Sequence, residues 1–165
     1  MKVDKLALEE TGSFSKLFID YLNKSSKLAP THAFDPSIDG FEKALTYRKL
    51  SQEHRDNLVS VLESQYADIS LPSQVEANIT ALRDQNTFTV TTGHQLNIFT
   101  GPLFFIYKIV TAINICQQLA DKFPEYNFVP VYWMASEDHD FDEIDHTFVE
   151  GKKYVFHIIP SGILY

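Results

Sequence analysis

The run from Thr87 to Met134 limits the possible folds more than any other part of the chain. It reads TFTVTT, GHQLNIFTGP, LFFIYKIVTAINICQQLADK, FPEYN and FVPVYWM in succession. TFTVTT is short and β-branched, as a strand should be. The segment from Leu103 to Lys122 has the length and apolar content of a buried helix, and Pro102 is predicted at its first position, where no amide donor is needed. FVPVYWM, Phe128 to Met134, is apolar on both faces, the pattern of a central parallel strand. Pro130 marks its start or an irregularity. Strand, helix, strand in that order predicts a βαβ unit with a right-handed crossover.

The residues before Thr87 follow a helical period. Phe14, Leu17, Phe18, Tyr21 and Leu22 predict one helix, and Phe41, Leu45 and Tyr47 a second. Leu58, Val59, Val61 and Leu62 predict a third, capped by Ser51. Ser73 with Glu76 has the form of a capping box, followed by Val75, Ile79 and Leu82 on one face. Lys24 to Pro36 reads as a loop. Beyond the βαβ unit, HTFV and KKYVFHI flank Glu150-Gly151 and predict a hairpin. The predicted fold is therefore α/β: N-terminal helices packing on the core (1–86), the first βαβ unit of a Rossmann-like parallel sheet (87–146), then a β-hairpin (147–165).

Composition narrows the functional classes. A net charge of −8, with no Lys/Arg cluster to track phosphates, argues against nucleic acid as a partner. Cys116 is the single cysteine, which excludes an intramolecular disulfide and a cysteine-cluster zinc site, and suits a reducing cytoplasm. The N-terminus has no apolar signal region, and no run reaches the length of apolar residues that a membrane span needs, so no membrane partner is predicted.

In open parallel sheets, ligands bind beyond the carboxyl ends of the strands. Two unusual segments lie there. GHQLNIFTGP follows the first strand and ASEDHDFDEIDH the second, with six carboxylates in the ten residues from Glu137 to His146. Gly93 and Gly101 permit close backbone approach. A following helix N-terminus favours phosphate or carboxylate, and His94 and Gln95 add side-chain donors. This is neither a dinucleotide fingerprint nor a Walker loop. His139 lies between Asp138 and Asp140, where a carboxylate can set its tautomer. The bland reading is a turn before a helix, then a solvated acidic turn with Phe141 and Ile144 tucked inwards. That reading is preferred for Asp142, Glu143 and Asp145, and a functional one for Glu137 to Asp140.

TTGHQLNIFTGPLFFIYKIVTAI followed by FVPVYWMASEDHDFDEIDH resembles the BshC family, the cysteine-adding enzymes of bacillithiol biosynthesis. The matching positions are Thr92, Gly93, His94, Gln95, Phe99, Gly101, Pro102, Tyr107 and Lys108, then Ser136 to Phe141. LPSQVEANITAL also resembles the helix that precedes the family's Rossmann core. The resemblance implies a core related to class I aminoacyl-tRNA synthetases, with connective-peptide and coiled-coil parts in the full-length protein. It implies addition of cysteine to glucosaminyl-malate by an amide-forming ligase. It places ATP or ADP at Thr92, Gly93, His94, Gln95, Gly101 and Pro102. Substrate contacts fall to Lys108, Ser136, Glu137 and Asp138, and catalytic roles to His94, Asp138, His139 and Asp140, with no metal assigned. A homodimer is implied for the full-length form. Family members are about three times this length, so the chain is expected to be an N-terminal fragment carrying half a site. Two rivals remain at this stage: a non-catalytic nucleotide- or partner-binding module, and a metal-dependent hydrolase using His139, His146, Asp138 and Asp142.

Overall fold

The structure is a computed structural model that describes residues 4–97, 101–138 and 145–156. The chain forms two compact units, Met1–Leu50 and Ser51–Tyr165. The first is helical. A 3-10 turn at Leu8–Thr11 leads to α1, Lys16–Leu22, and a second 3-10 turn at Ser26–Leu28 leads to α2, Ile38–Tyr47. Each α-helix begins on a serine: Ser15 Oγ accepts from Phe18 N, and Ser37 Oγ from Gly40 N, both at 3.2 Å. Such caps satisfy one of the amides that a helix start leaves unpaired. Gly40 is the buried residue of α2, and a Cβ there would fall 2.0 Å from the Asp35 carbonyl oxygen. Lys24 reaches Asp35 at 3.0 Å, and this hydrogen bond holds the Asp35 carboxyl below its ordinary value. The predicted loop from Lys24 to Pro36 therefore contains a short 3-10 turn.

In the second unit, α3 (Gln52–Gln65) and α4 (Ser73–Ala81) precede the strand–helix–strand run: β1 (Thr87–His94), α5 (Leu103–Lys122) and β2 (Asn127–Met134). Ser51 caps α3 as predicted, its Oγ accepting from His54 N at 3.3 Å. The capping box at Ser73 does not form. Pro72 occupies the cap position, and the amides of Val75 and Glu76 bond its carbonyl oxygen, so Ser73 is already the first helical residue. The same one-residue shift occurs at α5, where Pro102 (φ −70°, ψ 155°) is the cap rather than the first helical residue. In both cases the fixed φ of proline suits the extended cap conformation as well as the first turn.

β1 and β2 are parallel and in register, from Thr87 opposite Asn127 to His94 opposite Met134. Strand side chains alternate between faces, so the two faces of this pair can be told apart by their contacts. Val129 packs with Val59, Ile79 and Leu82, and Val131 lies against the same cluster, which puts α3 and α4 on that face. On the other face Tyr132 meets Phe105 of α5, ring centroids 5.3 Å apart. The result is a layered α/β arrangement with helices on both faces of the strands. Asn127 N and Ala135 N both bond β1-side carbonyls. By the same alternation, Pro130 directs its nitrogen away from β1 and removes no hydrogen bond from the ladder.

Two expectations need correction. The strand does not end at Thr92 but continues through Gly93 and His94. α5 is not largely buried: Ala112, Cys116 and Leu119 are, whereas Leu103, Ile106, Tyr107, Val110 and Ile113 are exposed. Two strands present room for one stripe of a helix, and the second apolar stripe has nothing to cover it among the described residues. By length and composition alone this 20-residue helix is also long and apolar enough to cross a membrane. Runs of apolar residues understate it, because Lys108 and the polar residues that follow interrupt them. Here its first stripe packs on the sheet. The hairpin forms as predicted: β3 (His146–Val149) pairs antiparallel with β4 (Lys152–Val155). Glu150 (φ 50°) and Gly151 (φ 78°) are both left-handed, the type I′ geometry whose twist matches that of paired strands.

Arg55 joins the helices to the sheet. It is buried, and its guanidinium donates to Leu82 O at 3.0 Å, Thr87 O at 3.1 Å and Gln85 O at 3.4 Å. One side chain thus ties the end of α4 to the first residue of β1. Its replacement by methionine keeps most of the apolar volume and strands those carbonyls. Arg55→Met is expected to destabilise the chain by roughly 3 kcal/mol, the scale of losing charge-assisted hydrogen bonds to buried acceptors. Urea denaturation checks this, and an unchanged midpoint would show that the clamp contributes nothing.

Candidate functional site

The two strands end together, so the segments that follow them leave from the same edge. The ladder runs one step past the last pair, with Ala135 N donating to His94 O at 3.1 Å. Tyr132 OH donates to the same oxygen at 3.2 Å, and burial raises the phenol above its ordinary pKa. Gly93 is required at this junction. It pairs with Trp133, and a Cβ on it would fall 2.7 Å from the Trp133 carbonyl oxygen.

The polar loop and the acidic loop are joined directly. Gln95 Nε2 donates to Asp138 Oδ2 at 2.8 Å. Trp133 Nε1 donates to Glu137 Oε1 at 3.1 Å, so the neighbouring acid is held by the strand it follows. Asp138 N closes the turn onto Ala135 O at 3.3 Å. Glu137 and Asp138 are exposed carboxylates with defined positions. The Gln95 amide and the Trp133 indole N–H are neutral donors that orient the two acids.

On the other side of the junction, α5 surrounds His94. The imidazole lies 5.1 Å from the Phe104 ring and 6.1 Å from the Phe105 ring, centroid to centroid. One turn further along, Lys108 Nζ donates to Gly93 O at 3.2 Å and sits 5.2 Å from the centre of Phe104. The predicted substrate contact Lys108 therefore points back at Gly93, near the end of β1. Its ammonium has three donors, and this bond employs one. Pro102 has no side-chain acceptor with which to cap the first turn of α5. A helix start of this kind, beside an ammonium and an imidazole, is suited to phosphate or carboxylate oxygens.

Of the candidate residues, the structure gathers Gly93, His94, Gln95, Lys108, Glu137 and Asp138 at one edge. Thr92 lies one step inside β1, opposite Tyr132. Ser136 is exposed in the turn after β2, its amide bonded to Met134 O. Gly101 (φ 61°) and Pro102 lead into α5. His139, Asp140, Asp142 and Phe99 lie outside the described residues. Among the described residues no group of three or more His, Cys, Asp and Glu side chains is placed to hold a metal ion. His146 instead pairs with its neighbour Asp145, Nδ1 to Oδ1 at 2.8 Å, in the hairpin. Three residues now join the site that sequence reasoning left out: Asn97, Tyr132 and Trp133. Tyr132 and Trp133 read as core from their apolar run. Asn97 carried one weak signal, a residue type that bonds nearby backbone in turns.

Comparison with known proteins places these observations. The family described as "Bacillithiol biosynthesis BshC, N-terminal Rossmann-like domain" matches residues 1–160. A protein of Flavobacterium psychrophilum named "Putative cysteine ligase BshC" is 44% identical over 165 residues, covering 98% of this chain and 31% of that protein. One of the same name from Christiangramia forsetii is 46% identical over 156 residues, 93% of this chain and 29% of that protein. A Bacillus thuringiensis protein of that name is 29% identical over 161 residues, 95% of this chain and 29% of that protein. The chain thus spans under a third of the length of these relatives.

Gly93→Ala tests whether the strand ends depend on close approach. The added methyl must push against the Trp133 carbonyl, a strain on the order of 1–3 kcal/mol. The expected result is a lower melting temperature together with faster hydrogen exchange at the Ala135 amide, which bonds His94 O. Unaltered exchange at Ala135 would show that the junction tolerates the side chain.

Proposed function

This chain belongs to the BshC family of bacillithiol biosynthesis, as its N-terminal Rossmann-like domain, and from that premise we propose that it supplies the anion-binding and amine-binding halves of a cysteine ligase site. The reaction proposed is addition of cysteine to glucosaminyl-malate. The observation that carries the reading is the 2.8 Å tie between Gln95 and Asp138. It sets a loop of donors (His94, Lys108 and the start of α5) beside a loop of carboxylates. An amino acid carries one charge of each sign, and the two sides of this edge match them.

Amide formation joins the carboxyl carbon of cysteine to the sugar amine, breaks a carboxyl C–O bond and releases a proton from the amine. ATP, when bound, supplies the phosphorus group that carries away the departing oxygen. His94 and the first turn of α5 fit an anionic oxygen there, and Lys108 adds positive charge in the same place. Thr92, Gly93, Gln95, Gly101 and Pro102 shape this side through their backbone. Asp138 is positioned to hold an ammonium or to accept the proton that the amine loses. Glu137 and Ser136 lie next to it as further substrate contacts. By the family motif, His139 and Asp140 continue the same segment.

The test uses a chimera in which this chain replaces the corresponding N-terminal third of the Flavobacterium psychrophilum relative. The chimera is expected to form bacillithiol from cysteine, glucosaminyl-malate and ATP. Asp138→Asn is expected to slow that reaction by about a hundredfold, the lower range for a lost acid–base group, and to leave the melting temperature unchanged. Trp133 is the single tryptophan of this chain, so its fluorescence, read on the chain without the rest of the chimera, reports whether the acidic turn keeps its place in the variant. Full activity in Asp138→Asn returns this acid to the role of a solvated turn, and an inactive chimera that folds and binds none of the three substrates sinks the reading.

A further inference from the structure

We infer that Asn97 is a positioning residue that fixes the His94 imidazole as its Nε2–H tautomer, so that His94 meets an anionic or carbonyl oxygen as a neutral donor. The proposal deepens the ligase reading and rests on it for the identity of that oxygen, but the tautomer is a property of the chain itself.

His94 Nδ1 has two polar neighbours, Asn97 Nδ2 at 2.9 Å and the Gln95 carbonyl oxygen at 3.2 Å. One tautomer cannot serve both. If Nδ1 carries a proton it can donate to Gln95 O, and then it faces an N–H of Asn97. If Nδ1 is bare it accepts from Asn97. The Gln95 carbonyl decides between them, because Asn97 Nδ2 also lies 2.9 Å from that oxygen. Turning the amide over would set two acceptor oxygens against each other at that distance. The nitrogen of Asn97 must therefore face both partners, and it is only a donor. Asn97 thus satisfies Gln95 O, and Nδ1 of His94 is left as the acceptor. In the neutral ring the proton then resides on Nε2.

A second observation places the Asn97 side chain directly against Gly101. Gly101 adopts φ +61°, and a Cβ there would fall 2.6 Å from Asn97 Cγ and 2.8 Å from its Oδ1. The glycine that opens the way to α5 is thus also the floor beneath the Asn97 amide. Gly101, Asn97 and His94 form a chain of contacts in which backbone conformation sets side-chain position, and side-chain position sets where a proton sits.

The experiment is long-range 1H–15N correlation NMR on the 15N-labelled chain, at a pH mildly alkaline enough for imidazoles to be neutral. The six histidines are distinguished by loss of one signal set in His94→Gln. The expected pattern for His94 is a protonated Nε2 and a bare Nδ1. In Asn97→Asp a carboxylate replaces the donor, and the proton is expected to move to Nδ1. In Asn97→Ala the Gln95 carbonyl regains its claim on Nδ1–H, and the Nε2–H form is expected to lose its dominance. A wild-type His94 protonated at Nδ1 overturns the proposal without reference to any variant. So does an Nε2–H ring that persists in both variants while the other histidine signals stay in place. Ligase activity plays no part in these readouts, so an inactive chimera with the expected tautomers would count against the proposed function alone.

Discussion

The parallel pairing of β1 with β2 is the constraint on which the rest of this structure depends. Eight residues of each strand pair in register, and both strands stop at the same level. Parallel strands need a crossover, and α5 supplies it while covering the face that carries Tyr132. Arg55 fixes where β1 begins and Gly93 lets it approach β2 where it ends. A one-residue slip would reverse every side chain. A slip of β2 would send Val129 out of the Val59, Ile79 and Leu82 cluster, and a slip of β1 would turn His94 away from Phe104 and Phe105. The geometry of the polar edge is therefore set by core packing several residues away.

The parts of the sequence whose meaning lies in periodicity were legible. β1, α5 and β2 could be read because two strand-like runs flank one long helical run, and the hairpin because Glu150-Gly151 is a short turn between β-type runs. The range of α5 was read correctly, but Pro102 caps it rather than opening it, and the cap of α4 is Pro72 rather than Ser73, since proline suits both the cap and the first turn. The extent of burial on α5 was misjudged for a different reason. Its apolar residues occupy two stripes, and sequence shows that a residue is apolar without showing whether a neighbour exists to cover it.

The side-chain arrangement of the site was much less legible. That the two loops share an edge follows from strand order, and strand order could be read. That Gln95 rather than His94 contacts Asp138 could not, because it depends on where β1 ends, two residues later than β-propensity suggests. Lys108 could be named as a substrate contact, but not placed. Its bond to Gly93 O is a consequence of helix phase, since Phe104 and Lys108 stand four residues apart and share a face. Arg55 gave no signal, because a charged residue on a helix reads as solvated until a set of backbone carbonyls is found around it.

The two sides of the polar edge are held in different ways, and this difference bears on what each can do. Glu137 and Asp138 are oriented by neutral donors from Trp133 and Gln95 and remain exposed to water. Water screens such charges, but a cation that arrives displaces that water and meets carboxylates already aimed. His94 is half-buried beside the Phe104 and Phe105 rings, and the Nε2–H tautomer inferred for it offers a directional bond. The Lys108 ammonium lies against the Phe104 face at the margin of the same aromatic group. One side of the edge thus presents carboxylates, and the other an imidazole, an ammonium and a helix start. The link from Gln95 to Asp138 joins the two sides directly, so the position of the acidic turn depends on where β1 ends.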